Sequence, residues 1–530
     1  MDEPIVGQTP AQPVKPALLT QPKPKKVYET DLRDRVLLVL TVGLGALLAD
    51  LFLTAWAGFP GLEVTLLVLG WEGVMLWYAR GRVPLGRALL KRENLFLTLA
   101  VLLLAAVFSL YTNRWFYGFN AVALPLLMTV QMFALFGETA YPWSRPIMLL
   151  ERGFLLIEGM CWKWDAAFHT LKGAKGGPGK RAWYVLAGLA VAVPLVLLVV
   201  PLLATADAIF NQVAGDAIRY FCDNFGVLLS RLFIGLFFAP FLFGVLYSLR
   251  RPEEAKLGLE KVKLPTADPA MAVTFLSVLN ALYLFFVAVQ FRGLFGGKTY
   301  VEDMGISFAD YARSGFFQLV WVSAINLAVV LLCVQFTKRE GKLWGAVRGL
   351  CTLMVALSGL MLASAAGRMT LYVTEYGLSF KRFLTYWGMV MLVIFFIAAL
   401  LKIWKKNFAF FKVLFSASIA GWLVLNLCSV DRIVAYYNVE NYLSGNLPTA
   451  DVEYLAYASY DALDILERVS GETKVLPLYP NPSWDDGGQG DASYPGYDLS
   501  ELVEDRRIAA AFEASSWRTW TLSAYLAARG

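Results

Sequence analysis

The stretch VLLVLTVGLGALLADLFLTAW, residues 36–56, holds one charged side chain, Asp50, in its whole length. Wound as an α-helix at 1.5 Å per residue it covers about 30 Å, the thickness of a bilayer's hydrocarbon core. Such a helix has no polar face to offer water, so lipid is its solvent. No small-residue cleavage site follows, and a second apolar segment opens at Pro60, so the stretch reads as a first membrane span and not as a removable leader.

The same pattern recurs along the chain. Candidate spans fall at about 36–56, 60–79, 94–111, 117–137, 182–204, 225–248, 270–291, 314–336, 345–366, 383–401 and 409–430, each close to the roughly 20 residues a crossing needs. Composition agrees: 58% of residues are hydrophobic and 17% charged, against about 25% charged in an average soluble domain. The expected fold class is therefore all-α, a polytopic helical membrane protein of about eleven transmembrane helices with a small C-terminal helical domain outside.

Three regions flank or interrupt the spans. Residues 1–30, with Pro4, Pro10, Pro13, Pro16, Pro22 and Pro24 among lysines, read as a disordered basic tail on the cytoplasmic side. Within the transmembrane domain, 31–430, the segment 144–172 carries Glu151, Glu158, Asp165 and Lys172 seven residues apart, with Phe154, Leu155, Trp162 and Phe168 between them. It is expected to lie as an amphipathic helix on the cytoplasmic interface. Residues 431–530 hold 16 Asp and Glu against 7 Lys and Arg, a net charge of −9, so the remaining chain carries +15 of the overall +6.

Lysine and arginine set the expected orientation, because short loops rich in them stay in the cytoplasm. They concentrate in alternate gaps, as in Arg80, Arg82, Arg87, Lys91 and Arg92 after the second span and Lys402, Lys405 and Lys406 after the tenth. The N-terminus is thus expected inside and 431–530 outside the plasma membrane of a bacterial cell.

Several short runs resemble a known family. NALYLFFVAVQFRGLFGG at 280–297, YARSGFFQLVWVSAINL at 311–327 and RMTLYVTEYGLSFKRF at 368–383 resemble a bacterial multi-pass membrane family, the domain of unknown function four-one-seven-three. DRIVAYYNVENY at 431–442, DVEYLAYASYDAL at 451–463 and WRTWTLSAYLA at 517–527 continue the likeness, over roughly residues 200–530. Ala458, Asp464 and Thr521 stand where that pattern has leucine, proline and asparagine. The resemblance implies a membrane fold and location, and no reaction or ligand.

Ionisable residues at membrane depth are the candidate sites, because a charge at the bilayer centre costs at least about 2.5–3.5 kcal/mol. Glu72 sits mid-span between Gly70 and Gly73, where another backbone can approach, and reads as a buried hydrogen-bonded carboxyl or a proton or cation site. Asp50 and Arg231 lie at matching depth on the first and sixth spans and are expected to clamp those helices or gate a path between them. Glu63, near the outer boundary, is expected to snorkel. Asn280, Gln290, Asn326 and Asn426 read as interhelical hydrogen bonders.

In the outer domain, Thr449 or Asp451 is expected to cap a helix running to Gly471. Asp461 and Asp464 would share a face of it, Asp464 would pair with Arg468, and Asp431 would cap the preceding helix. Asp431, Asp461 and Asp464 are the candidate outer-domain contacts. The tyrosines among 436–460 are expected to pack that domain onto the membrane surface.

Other chemistry finds little support in the residues. The five cysteines are scattered singly, and one histidine, His169, cannot supply a two-histidine metal motif. GAKGGPGK at 173–180 has Ala174 and Arg181 where a phosphate loop needs glycine and a hydroxyl, so it reads as a linker. Asp485, Asp486 and Asp491 lack a terminal glutamate at calcium-loop spacing. No catalytic residue, cofactor, metal or nucleic-acid partner is expected. The expected partners are the lipid bilayer and, through 431–530, envelope proteins. The leading expectation is a non-catalytic envelope sensor or assembly scaffold, with a secondary transporter using intramembrane carboxylates second and a membrane enzyme on lipid-linked envelope substrates third.

Overall fold

The computed structural model describes residues 31–136, 141–172, 208–249, 267–295, 316–447, 452–470 and 499–529, with a few isolated positions besides. Among the described residues ten helices are long and apolar enough to cross a membrane. They correspond to ten of the expected spans. The remaining one, 182–204, lies almost wholly outside the described residues, as do the tail 1–30, the GAKGGPGK linker and the Asp485–Asp491 loop.

Helix α1 (Leu32–Ala57) opens on a reciprocal cap. Asp31 accepts from the Asp34 amide at 2.9 Å, and Asp34 accepts from the Asp31 amide at 2.8 Å, an arrangement worth about 1 kcal/mol. Asp34 also accepts the Tyr78 hydroxyl at 2.8 Å, which ties the start of α1 to the end of α2 (Leu62–Ala79). After the short α3 (Leu85–Leu89) come α4 (Arg92–Leu110) and α5 (Arg114–Phe136), which pack with α2 around Val68, Leu97, Leu104 and Leu127.

The long α8 (Ala208–Ser248) runs antiparallel along α1. Their crossing is made by Gly45 and Gly235, where a Cβ on Gly45 would overlap the α8 backbone and one on Gly235 would press on that of α1. Small residues at a crossing are the usual device for close packing in lipid, where apolar burial supplies no driving force between helices.

Helices α9 (Pro269–Phe295), α10 (Phe316–Phe336), α11 (Gly341–Tyr376) and α12 (Phe380–Trp404) share a second core around Leu276, Val330, Met354 and Phe396. Buried amides pin it. Asn280 donates to the Leu350 carbonyl at 3.1 Å and Asn326 to Ser358 Oγ at 2.9 Å. Helix α13 (Phe410–Leu427) returns to the first core, where Asn120 donates to Asn426 Oδ1 at 2.7 Å. The side chain of Gln290 lies outside the described residues. Large apolar side chains such as Val39, Phe237 and Trp321 stand exposed on the periphery.

The segment 144–172 departs from expectation. It forms α6 (Ile147–Trp162) and α7 (Ala166–Lys172), broken at Lys163–Asp165, and the stripe does not keep one face: Glu151 turns inward, while Glu158 stays half-buried beside Lys163 at 3.2 Å. Glu151 and Arg152 are fully buried, with Arg152 donating to the Val130 carbonyl at 3.2 Å, while Leu150, Phe154 and Trp162 face outward. An interfacial helix would present its charges to water. Here neighbouring helices cover Glu151 and Arg152, and the apolar side chains stand on the outside.

The C-terminal unit comprises α14 (Val430–Leu443), α15 (Val452–Ala458), a 3-10 turn at Tyr460–Ala462, α16 (Leu463–Ser470), α17 (Leu499–Ser515) and α18 (Leu522–Ala527). The single helix expected up to Gly471 is interrupted because Ser459 is extended and its hydroxyl accepts from the Asp461 amide, starting a new turn. Its core of Val434, Leu455, Leu466, Val503 and Ala524 runs on into Phe116, Phe380 and Leu425 of the membrane helices. The unit and one end of the bundle therefore share a core. It touches the α1–α2, α4–α5 and α11–α12 junctions, all at that same end.

Candidate functional site

The densest buried charge lies where the C-terminal unit meets α1. Asp50 is 6% exposed, and each of its oxygens faces one arginine. Arg231 of α8 stands 2.6 Å from Oδ1, and Arg518 donates from Nε to Oδ2 at 2.8 Å. The glycine crossing at 45 and 235, about one turn away, brings α8 close enough for the first contact.

Arg518 arrives on a strap, Trp517-Arg518-Thr519-Trp520, that also caps α2. The Gly61 and Leu62 amides, which no intrahelical carbonyl can serve, donate to the carbonyls of Arg518 at 2.6 Å and Trp520 at 2.9 Å. A Cβ at Gly61 would overlap the Trp520 carbonyl, so only glycine fits. Glu63 lies beneath, beside Asp50 and Thr54, fully buried and with no partner in hydrogen-bond geometry at either oxygen. It does not snorkel as expected, because the strap covers the route to water.

Glu72 stands apart. It is nine residues further along α2 than Glu63, about 13 Å at 1.5 Å per residue. Gln131 of α5 donates to Glu72 Oε2 at 2.8 Å and lies 3.3 Å from Thr98 of α4, leaving Glu72 Oε1 and Gln131 Oε1 buried without partners. If Glu72 serves only to join α2 to α5, Glu72→Gln keeps one amide contact and shifts the thermal midpoint of purified protein by a few degrees at most. A collapse of folded yield on that change would show that the charge itself is required.

Beneath the C-terminal unit a third polar group gathers around the α4–α5 turn, Thr112-Asn113. Asn113 donates to Asp431 at 2.7 Å, and the Tyr460 amide donates to Thr112 Oγ1 at 3.1 Å. Ser459 donates to Asp461 at 2.7 Å. Asp431 and Asp461 line one cavity of about 10 Å³ with Tyr111, Asn120 and Asn426, room for about one water. Burial, and then the neighbouring Asp461, pushes the Asp431 carboxyl up to about 7. Burial raises Asp461 too.

Asp431 thus points into the junction instead of capping α14, and Asp461 turns inward while Asp464 is exposed. Asp464 pairs with Arg432 at 2.6 Å, and Arg468, its expected partner, reaches Glu440 at 2.6 Å, because α14 packs against α16 and offers each of them an opposite charge. Of the tyrosines, Tyr454 ties the unit down by accepting the Phe380 amide at 3.0 Å, while Tyr436 and Tyr457 are exposed.

Among the described residues, ten apolar helices with buried polar side chains between them and large apolar side chains on their outer faces define an integral membrane protein of the polytopic helical class. The chain belongs to the family described as Domain of unknown function (DUF4153), which matches residues 98–469. It is a family of unknown function, as the sequence implied. Its number is 4153 where the resemblance gave 4173, and the match begins earlier in the chain and ends before the strap. No curated protein and no solved structure matches the chain.

Proposed function

We propose that the chain is a non-catalytic sensor or assembly scaffold of a bacterial cell envelope, with its N-terminus in the cytoplasm and 431–530 outside. One observation carries the reading: a single carboxylate, Asp50, is shared between α8 and the C-terminal strap. A load or partner on the C-terminal unit is thereby linked to the packing of α1 against α8.

The competing readings have weaker support. A cavity of about 10 Å³ around Asp431 and Asp461 admits a water and no substrate, which disfavours an enzyme using that pair. A transporter would draw on Glu72 and Asp50, which have separate partners, Gln131 for Glu72 and Arg231 and Arg518 for Asp50. The net −9 of residues 431–530 suits a basic partner or cations, and Asp464 is the outer candidate positioned to meet one.

Arg518→Gln tests the link. Amide exchange of the full-length protein should quicken in α8 around Arg231 as well as in the strap, whereas Arg432→Gln, which breaks only an exposed pair, should leave α8 unchanged. Unaltered exchange in α8 on releasing Arg518 would sink the coupling. Orientation is tested separately with Asp464→Cys in a background without the native cysteines: a membrane-impermeant thiol reagent should label it in intact spheroplasts. Labelling only in inverted vesicles would reverse the topology.

A further inference from the structure

One side of α5 bears a stripe at helical spacing, Trp115, Phe119, Val122 and Leu126, each about 60% exposed. Together with Trp422 of α13 and Phe59 of the α1–α2 junction it borders an open groove of about 880 Å³, floored by the small residues Gly118 and Ala123. From 115 to 126 the stripe covers about 17 Å, close to half of a ~30 Å hydrocarbon core, so the groove has the depth of one leaflet. Its single charged lining residue is Arg114, at the end nearest the C-terminal unit.

Arg114 is held there by Phe59, its guanidinium 4.9 Å from the ring centroid. Among the described residues it makes no ion pair. Behind it a pocket of about 10 Å³, which shares Phe59 and Arg114 with the groove, is lined by Arg506 and Glu513. Two guanidinium groups against one carboxylate leave one net positive charge, at the positive end of the α5 dipole. The pocket is too small for a headgroup, so an anion entering along the groove stops at Arg114.

We propose that this groove holds an anionic phospholipid of the leaflet on the side of the C-terminal unit, its phosphate on Arg114 and an acyl chain along Trp115, Phe119, Val122 and Leu126. The charge selects the headgroup and the leaflet-deep apolar channel selects a chain, so a free anion satisfies only half of the site. The binding stands independently of whether 431–530 recruits a protein, and it places a lipid at the seam between the spans and that unit.

The full-length protein, reconstituted with equal phosphatidylglycerol and phosphatidylcholine and re-extracted in mild detergent, should retain the anionic lipid about fivefold over the zwitterionic one by native mass spectrometry. Arg114→Gln should bring the ratio to parity, and Arg114→Lys should keep most of it. Gly118→Leu should lower retention of both lipids, since a Cβ there meets nothing within 4 Å and the side chain enters the groove without disturbing the fold. Inorganic phosphate at millimolar concentration should not displace the lipid. Equal retention of the two lipids by the unaltered protein, or an unchanged ratio in Arg114→Gln that still elutes as a single folded species, would overturn the site. Displacement by phosphate alone would reduce it to an anion site and likewise overturn the lipid.

Discussion

Asp50→Asn should cost more folded protein than any other single change at the junction, because it strands Arg231 and Arg518 together. Breaking a buried ion pair from one side typically costs about 3–5 kcal/mol. The two arginine side chains are 29% and 31% exposed, and water reaching them reduces the expected loss to about 2–4 kcal/mol. Arg231→Gln or Arg518→Gln alone leaves Asp50 one partner and should cost about half as much. The informative comparison is between multiple variants. Asp50→Asn with Arg231→Gln should recover only part of the loss, since Arg518 still has no anion, and adding Arg518→Gln should recover most of the rest. The readout is the fraction of monodisperse protein after heating in detergent. Strictly additive losses would show that the three groups do not interact, and full recovery in the double variant would remove Arg518 from the cluster.

The second large effect is a dependence on pH, centred on Asp431. Its folded carboxyl titrates at about 7, above its ordinary value of 3.8, so the folded state holds the proton more tightly than the unfolded one. The stabilisation is fully present below about pH 4 and is lost as pH rises towards 7, with a ceiling on the order of 4 kcal/mol. The raised Asp461 adds in the same direction. The C-terminal unit should therefore exchange its amides faster at pH 8 than at pH 5. Asp431→Asn keeps an acceptor for Asn113 while removing the charge, so it should flatten that dependence and stabilise the unit above pH 7. Parallel pH curves for the two proteins would show that Asp431 stays charged in the fold.

Hydropathy made the membrane helices legible because apolar length is a local property. Depth along a helix is nearly as local, which is why Asp50 and Arg231 could be placed at one level before any contact was known. The third member of that cluster had no such signal. Arg518 lies in a short polar run, and its charge alone does not distinguish it from Arg506 or Arg507 nearby. The tryptophans on either side, residues typical of a membrane interface, were the available clue. Glu63 was misplaced for the same reason, since its burial depends on a strap supplied from the far end of the chain. The inward turn of Glu151 and Arg152 reverses an inference sound for a helix on a surface. A seven-residue polar repeat reports which side differs, and only the neighbours decide whether that side meets water or protein. Thr112 and Asn113 carry no signal of their own in the sequence, although a turn between two spans is where buried hydrogen bonds to another unit are most easily made.

The bond from Arg518 to Asp50 joins positions 468 residues apart in the chain. During synthesis the first span is inserted long before the strap exists, so Asp50 must wait with Arg231 as its one arginine partner while the α2 amides at 61 and 62 stay uncapped. The missing carbonyls and guanidinium arrive only after every described span has been made. A chain ending at Ser516 would still hold the ten described spans, yet it could not close the seam. Membrane quality-control proteases, which act on opened segments, should therefore discriminate chains that carry the strap from chains that lack it, and the half-life of a chain ending at Ser516 should fall well below that of one that includes residues 517–530.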